Sequence, residues 1–108
     1  METINYDHFA KLNIRIGTVI EAEKIENTDK LMKLLVNFGD EKRTIVSGIA
    51  EWYSPEDLVG KQVPVLINLE PRKLKGVESQ GMKLAADEDG KAILLNPIKK
   101  IPDGTPVY

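Results

Sequence analysis

Residues 68–82 concentrate the side chains of this sequence that could hold a polyanion. The cationic and hydrogen-bonding side chains of this stretch include Asn68, Arg72, Lys73, Lys75, Ser79 and Gln80. Three residues typical of loops punctuate it: Pro71, Gly76 and Gly81. Arginine and lysine are the main phosphate contacts of proteins, and binding through them weakens as salt is added. Apolar stretches flank the segment, so we predict a loop held between two strands, which is a common anatomy of binding sites.

The distribution of charge favours selective docking of a polyanion over nonspecific coating of nucleic acid. The formal net charge is −2, from 15 Lys and Arg against 17 Asp and Glu. Residues 61–83 nevertheless carry five cations and only two anions, whereas acids gather at residues 21–26 and 87–89. A positive face on a mildly acidic body is suited to a specific anionic partner.

Composition bounds the class of protein. The 108 residues predict a single domain, 1–108. The absence of cysteine excludes a disulfide framework and a thiolate metal site, and it fits a reducing compartment. The sequence contains no apolar run of about 18 residues, so no membrane span is predicted. The start at Met1 lacks the pattern of a signal peptide. A cytoplasmic location is therefore expected, and the initiating Met1 favours a whole protein over an excised domain.

No combination of residues predicts catalysis. The sequence has no Gly-rich phosphate loop, no Ser/His/Asp set and no acid paired with a base, and its lone His8 lies in a short predicted helix. The acidic run at residues 87–89 lacks the spacing of a calcium site and is expected to form a turn. We therefore expect no enzyme, no cofactor and no metal.

The spacing of apolar residues predicts an all-β domain with one short helix inside it. The expected strands span residues 12–25, 32–38, 43–47, 62–69 and 82–86. Between the third and fourth, Ser54 and Pro55 begin a helix that Gly60 ends. Three strands, a helix and two strands are the order of the OB-fold, a five-stranded partly open barrel that binds oligonucleotides.

Single residues refine these strands. Gly17 is expected on the outer face of the first strand, where it permits a bulge. Pro64 cannot donate to a ladder, so its end of the fourth strand is expected at a sheet edge. Met82 either offers an apolar surface to an unstacked base or packs in the core. For Trp52 and Tyr53, packing against the helix is the preferred interpretation over stacking on bases.

Two terminal segments are surplus to a five-stranded barrel. One is a predicted helix over residues 5–11, and the other follows residue 86, with a strand over 91–95 and a proline-rich extended tail. Both carry apolar side chains, which predicts a subunit interface and a symmetric dimer.

Five sequence blocks in fixed order connect the chain to a known family. The blocks are Asp29-Lys30-Leu31, Arg43 to Ala50, Val59-Gly60-Lys61, Asn68 to Leu74, and Gly76 to Met82. With these blocks the chain resembles the tRNA-binding domain family from Phe9 to about Leu95. That family includes the C-terminal domain of methionyl-tRNA synthetases, its free-standing β-chain forms and the endothelial-monocyte-activating-polypeptide modules. The resemblance implies an OB barrel, a homodimer, tRNA as the partner, and a methionyl-tRNA synthetase catalytic chain as a further partner.

The resemblance also implies which residues contact tRNA. They are Lys30, Lys33, Ser47, Asn68, Arg72, Lys73, Ser79 and Met82, to which clustering adds Lys75. Asn68 and Ser79 either bond a base edge or a 2′-hydroxyl or shape the loop. Lys30 and Lys33 either contact RNA or are charges on a wet face, and Ser47 either faces the groove or ends its strand. Glu70 departs from the family, in which many members carry lysine there.

Two other functions stay open beside structure-selective tRNA binding. A CsaA-like secretion chaperone of the same fold would bind peptide in the same groove. That branch lacks the Gly-x-x-Ser-x-Gly-Met block in the form present at residues 76–82, which favours the tRNA branch. A module that serves only assembly would not need the charges of the groove.

Overall fold

Five antiparallel strands curl into a nearly closed barrel in the computed structural model, which describes residues 1–108. The barrel strands are β1 (Ile14–Lys24), β2 (Met32–Asn37), β3 (Lys42–Ser47), β4 (Gln62–Leu66) and β7 (Met82–Lys83). They are ordered β3-β2-β1-β4-β7, and the amide of Gln80, just before β7, donates to the carbonyl oxygen of Thr44 in β3 at 2.8 Å. This contact draws the two ends of the sheet together, and the predicted OB-like barrel is confirmed.

The barrel interior is filled by alternate residues of the strands. In β2, Met32, Leu34 and Val36 are fully buried, while the residues between them are partly exposed. This is the period of two expected of a half-buried strand. The short helix α2 (Pro55–Leu58) adds Leu58 to the same cluster. Ser54 is its N-cap residue as predicted, and the Asp57 carboxylate accepts from the Ser54 amide and hydroxyl at 2.9 and 3.1 Å.

Gly17 faces the barrel interior, so its predicted place on the outer face is wrong. The pairing of β1 with β2 shifts between Val19 and Glu21. This bulge reverses which residues point inward, so the apolar alternation that begins at the start of β1 does not continue through it. A Cβ on Gly17 would lie 2.5 Å from Val36 Cγ1 and 2.8 Å from the Phe38 ring. The glycine is needed because two core side chains fill the space above it.

Pro64 lies at an edge of the sheet as predicted, because the ladder of β4 with β7 contains only Val65 and Leu66 of β4. β4 pairs with β1 on one side, where Pro64 faces Ile16, and with β7 on the other. The missing amide of Pro64 is tolerated because the two-residue β7 ends beside it. The only bond there is the one that the carbonyl oxygen of Pro64 accepts from the Leu84 amide at 3.0 Å.

The connections after β4 are more structured than predicted. β4 ends at Leu66 instead of residue 69, and the expected loop contains a hairpin of β5 (Arg72–Leu74) and β6 (Val77–Ser79). The expected fifth strand is divided into β7 and β8 (Ala85–Glu88), and β8 pairs with β9 (Lys91–Leu94) around the predicted acidic turn.

Both termini lie near the start of β1. Helix α1 (Tyr6–Phe9) is capped by Asn5, whose side chain accepts from the His8 amide at 2.9 Å. The tail returns as β10 (Pro106–Val107), which pairs with the first residues of β1. No helix has the length and apolar character needed to cross a membrane.

Candidate nucleic-acid interface

The cations of the central stretch stand together on the hairpin formed by residues 72–79, which we call the basic hairpin. Lys75 and Gly76 form its tip with φ angles of 53° and 81°. A turn with two positive φ angles matches the twist of a two-stranded ribbon, and glycine at its second position avoids strain there. Arg72, Lys73 and Lys75 are exposed, and none of them takes part in an ion pair. The hairpin therefore presents free positive charge on a short, regular element.

Ser79 attaches the basic hairpin to the barrel. Its hydroxyl accepts from the buried Val46 amide and donates to the Gly81 carbonyl oxygen, both at 2.9 Å. The side chain is 5% exposed. Of the two roles left open for Ser79, the geometry supports shaping the loop, because the hydroxyl is enclosed and already both donates and accepts.

Asn68 anchors the segment that leads from β4 into the basic hairpin. Its side-chain oxygen accepts from the Asn13 amide at 2.8 Å, and its amide group donates to the Lys11 carbonyl oxygen at 2.6 Å. Both contacts join segments more than 50 positions apart in sequence. The residue itself is exposed, so a further contact to RNA is possible only through the capacity that these two bonds leave free.

Arg43 and Gln80 support the same region. The sequence pointed to Gln80 only as a hydrogen-bonding side chain of the stretch and gave no role to Arg43. The Arg43 guanidinium donates from Nη1 to the carbonyl oxygens of Ile67 and Gln80 at 2.6 and 3.2 Å. The side-chain oxygen of Gln80 accepts from the Thr44 amide at 2.9 Å. Both residues fasten the roots of the basic hairpin to β3. The sequence carries no signal for these supporting contacts, because the backbone partners belong to distant segments of the chain.

The other predicted contact residues lie on β2, β3 and β7 or in the loop before β2. Ser47 and Met82 line a common cleft, and Met82 is 46% exposed, which excludes the alternative that it packs in the core. Lys30 is exposed in the loop before β2, and its carbonyl oxygen accepts from Ala50 just beyond β3. Lys33 lies on the outer face of β2, where its Nζ is 3.7 Å from Glu23 Oε1. Its charge is therefore partly offset by an acid on the neighbouring strand.

Lys83 is a charged residue that the structure turns inward. It pairs with the fully buried Val65, and directly opposite residues of antiparallel strands point to the same face. Lys83 is 7% exposed, and its Nζ has no hydrogen-bond partner in the protein. Burial lowers the pKa of this amine. Its charge is therefore not part of the outward positive face to which the sequence assigned it.

Lys83 lines an open cleft beside the basic hairpin, which we call the Lys83 cleft. The cleft measures about 450 Å³ and lies between the end of β3, β7 and the β8–β9 hairpin. Its lining includes Ser47, Trp52, Met82, Lys83, Ala86 and Asp87. Met82 also lines a smaller cleft with Arg72, so the basic hairpin and the Lys83 cleft adjoin at this residue.

Comparison with known sequences shows the family of the chain. Residues 14–106 match the model of a family described as "Putative tRNA binding domain". The chain belongs to this family. A methionine–tRNA ligase of Archaeoglobus fulgidus is 58% identical to this tRNA-binding domain over 106 residues, which are 98% of the chain and 16% of that enzyme. The domain thus spans only a small part of the length of the curated relatives it matches.

Solved structures share the fold over the whole chain. A methionyl-tRNA-synthetase-related protein from Pyrococcus horikoshii superposes with a TM-score of 0.96 at 48% identity, and all of both chains is covered. The chaperone CsaA of Bacillus anthracis superposes with a TM-score of 0.91 at 32% identity, covering 99% of this chain and all of its own. The barrel with its terminal extensions is therefore shared by a methionyl-tRNA-synthetase-related protein and by a chaperone.

Proposed function

We propose that this domain binds tRNA through the basic hairpin and the adjoining cleft and performs no reaction itself. The observation that carries the proposal is the placement of Arg72, Lys73 and Lys75, which are exposed and unpaired on one hairpin anchored to the barrel at both roots. Cations held in this way meet the sugar-phosphate backbone without first breaking internal ion pairs. Ser47 and Met82 line the neighbouring cleft, and the exposed Lys30 completes the proposed contact surface.

The same geometry supports selectivity for shape more than for base sequence. Phosphate contacts position a protein on nucleic acid but carry no sequence information. Sequence-specific readers of RNA generally stack unpaired bases on several aromatic side chains. This chain has 6% aromatic residues, and Tyr53 is occupied by internal contacts because its hydroxyl donates to the Ala92 carbonyl oxygen at 3.1 Å. We infer that different tRNAs compete for the domain almost equally.

A salt series tests the proposal. The affinity for unfractionated tRNA is measured by filter binding from 50 to about 300 mM KCl, and log Kd is plotted against log salt. Each phosphate contact contributes about 0.7 to 0.9 to the slope, so three cations predict a slope of roughly 2 to 3. A flat response would contradict the proposal. It would favour a peptide-binding chaperone instead, the second function that the likeness to CsaA supports.

We infer that in the cell the domain supplies tRNA affinity to a methionyl-tRNA synthetase catalytic chain, either within one polypeptide or in trans. The support is the identity to part of a methionine–tRNA ligase and to a related protein of matching length. Adding the domain to a catalytic chain that lacks it is expected to lower KM for tRNA and leave kcat little changed. An unchanged KM would count against this partner.

We also infer a homodimer. Tyr6 and Leu12 are 71% and 45% exposed, and Leu12 precedes the segment of β1 that pairs with β10. The last residue, Tyr108, follows β10 and is 90% exposed. These exposed side chains belong to the segments next to the start of β1, and an apolar surface there could pair with the same surface of a second copy. Light scattering is expected to give twice the chain mass, and Leu12→Lys with Tyr6→Lys is expected to give a monomer. A wild-type monomer would refute the inference.

A further inference from the structure

Burial of the Lys83 amine destabilises the folded state, and the barrel does not require a lysine at this position. It occupies an inward position of β7 opposite Val65, where an apolar residue would pack without penalty. A buried polar group without a hydrogen-bond partner destabilises the folded state, and a charged one does so more. Features that break a local rule of folding in this way are concentrated at functional sites.

The residues that line the cleft indicate the kind of ligand that it would take. Asp87 is the only acid lining the cleft, and its Oδ1 already accepts from the Gly90 amide at 2.8 Å. It forms no ion pair with Lys83. The rest of the lining is largely apolar, with the Ser47 hydroxyl as a second polar group. The cleft is therefore suited to a flat, mostly apolar group that carries an acceptor oxygen or nitrogen.

We propose that the Lys83 cleft receives one unpaired nucleotide of the bound RNA, and that the enclosed Lys83 Nζ turns toward the cleft to donate to an acceptor atom of the base. This inference rests on the proposed function and adds to it the site that takes a base. Continuity with the basic hairpin favours RNA, because Met82 lines both the Lys83 cleft and the cleft beside Arg72. A strand whose phosphates lie on the hairpin can place the next nucleotide across Met82.

The volume of the cleft agrees with this occupant. Pockets for small ligands measure roughly 300 to 1,000 Å³, and this cleft measures about 450 Å³. Unpaired bases are the part of RNA that proteins reach most readily, since their edges are free and their faces are not stacked. Burial lowers the pKa of Lys83, so the amine loses its charge more easily than an exposed lysine, yet both forms of the amine can donate.

Trp52 provides a direct measurement, because it is the chain's only tryptophan and it lines the cleft. Titration with the single-stranded tetramer UUUU is expected to change its fluorescence with a saturable curve. Lys83→Met is expected to weaken this binding about tenfold, the loss of one charge-assisted hydrogen bond. Ala86→Phe, which fills the cleft from its exposed rim, is expected to weaken it similarly. Lys42→Met removes an exposed lysine at the far end of β3 and is the matched control, with unchanged affinity.

Several results would overturn the inference. One is equal affinity of the wild type, Lys83→Met and Ala86→Phe for UUUU. Another is that a tetramer with abasic positions binds as tightly as UUUU. A third is saturation of the Trp52 signal by a peptide and not by UUUU. Thermal melting separates binding from folding, since Lys83→Met removes an unpaired buried amine and is expected to melt at or above the wild-type temperature. If tRNA retention on filters persists with its salt slope while Trp52 reports no base, the proposed function stands and this inference fails.

Discussion

Replacing Arg72 and Lys73 together by alanine is expected to reduce tRNA affinity about 30-fold at 100 mM salt. Each cation is exposed, unpaired and carried by β5, so each is free to hold a phosphate. Losing about 1 kcal/mol per contact corresponds to a factor of about 30 for the pair. The slope of log Kd against log salt should also fall by about 1.5 to 2, because two fewer counterions are displaced. Filter binding over the same salt series measures both quantities.

The matched control removes two charges elsewhere. Lys24 and Lys42 are exposed on β1 and β3, and neither is in an ion pair. Their double alanine variant has the same net charge as the Arg72 and Lys73 variant, so a loss caused by overall charge would appear in both. Equal affinities of these two variants would show that the basic hairpin has no special role. An unaltered affinity of the Arg72 and Lys73 variant would indicate a module that serves only assembly.

Gly81→Ala is expected to lower the free energy of unfolding by about 3 kcal/mol or more. Gly81 has a φ of +152°, which residues with a Cβ rarely adopt, and such backbone strain costs about 1 to 3 kcal/mol. A Cβ there would also lie 2.8 Å from the Leu66 carbonyl oxygen and 3.2 Å from Ile45 Cδ1. The carbonyl belongs to the backbone of β4 and cannot turn aside, so overpacking adds a further penalty of about 1 to 3 kcal/mol. Urea denaturation measures the change.

Gly48→Ala is the comparison for this effect. Gly48 has an ordinary φ, and no heavy atom would lie within 4 Å of a Cβ placed on it. Its substitution is expected to change stability by no more than about 0.5 kcal/mol. Similar urea midpoints for the two variants, with equal m-values, would mean that the approach of residue 81 to β4 does not limit the fold.

Much of the fold could be predicted from local spacing. The alternation in β2 has a period of two, which differs from the helical period, and Ser54-Pro55 followed by acids is a common start of a helix. The order of three strands, a helix and two strands then made the OB-fold barrel the expected topology. The error at Gly17 arose where a bulge in β1 overrode the simple alternation of inward and outward residues.

The candidate site was predictable in its charges and unpredictable in its supports. Arg72, Lys73 and Lys75 cluster within four residues of the sequence, and proximity along the chain keeps them together in space. Ser79 and Asn68 were recognised as polar, but their partners, Val46 and Lys11, lie 33 and 57 positions away. Nothing local distinguishes a hydroxyl that binds RNA from one that holds a strand.

The sequence by itself determined the strand periods, the short helix, the cationic stretch and the resemblance to a tRNA-binding family, because each depends on the type and spacing of neighbouring residues. Only the tertiary structure decided which way side chains face. Lys83 turns inward because β7 pairs with β4 in a register that sets it opposite Val65. That register depends on contacts between distant segments, and a shift of one residue would reverse every side chain of the strand.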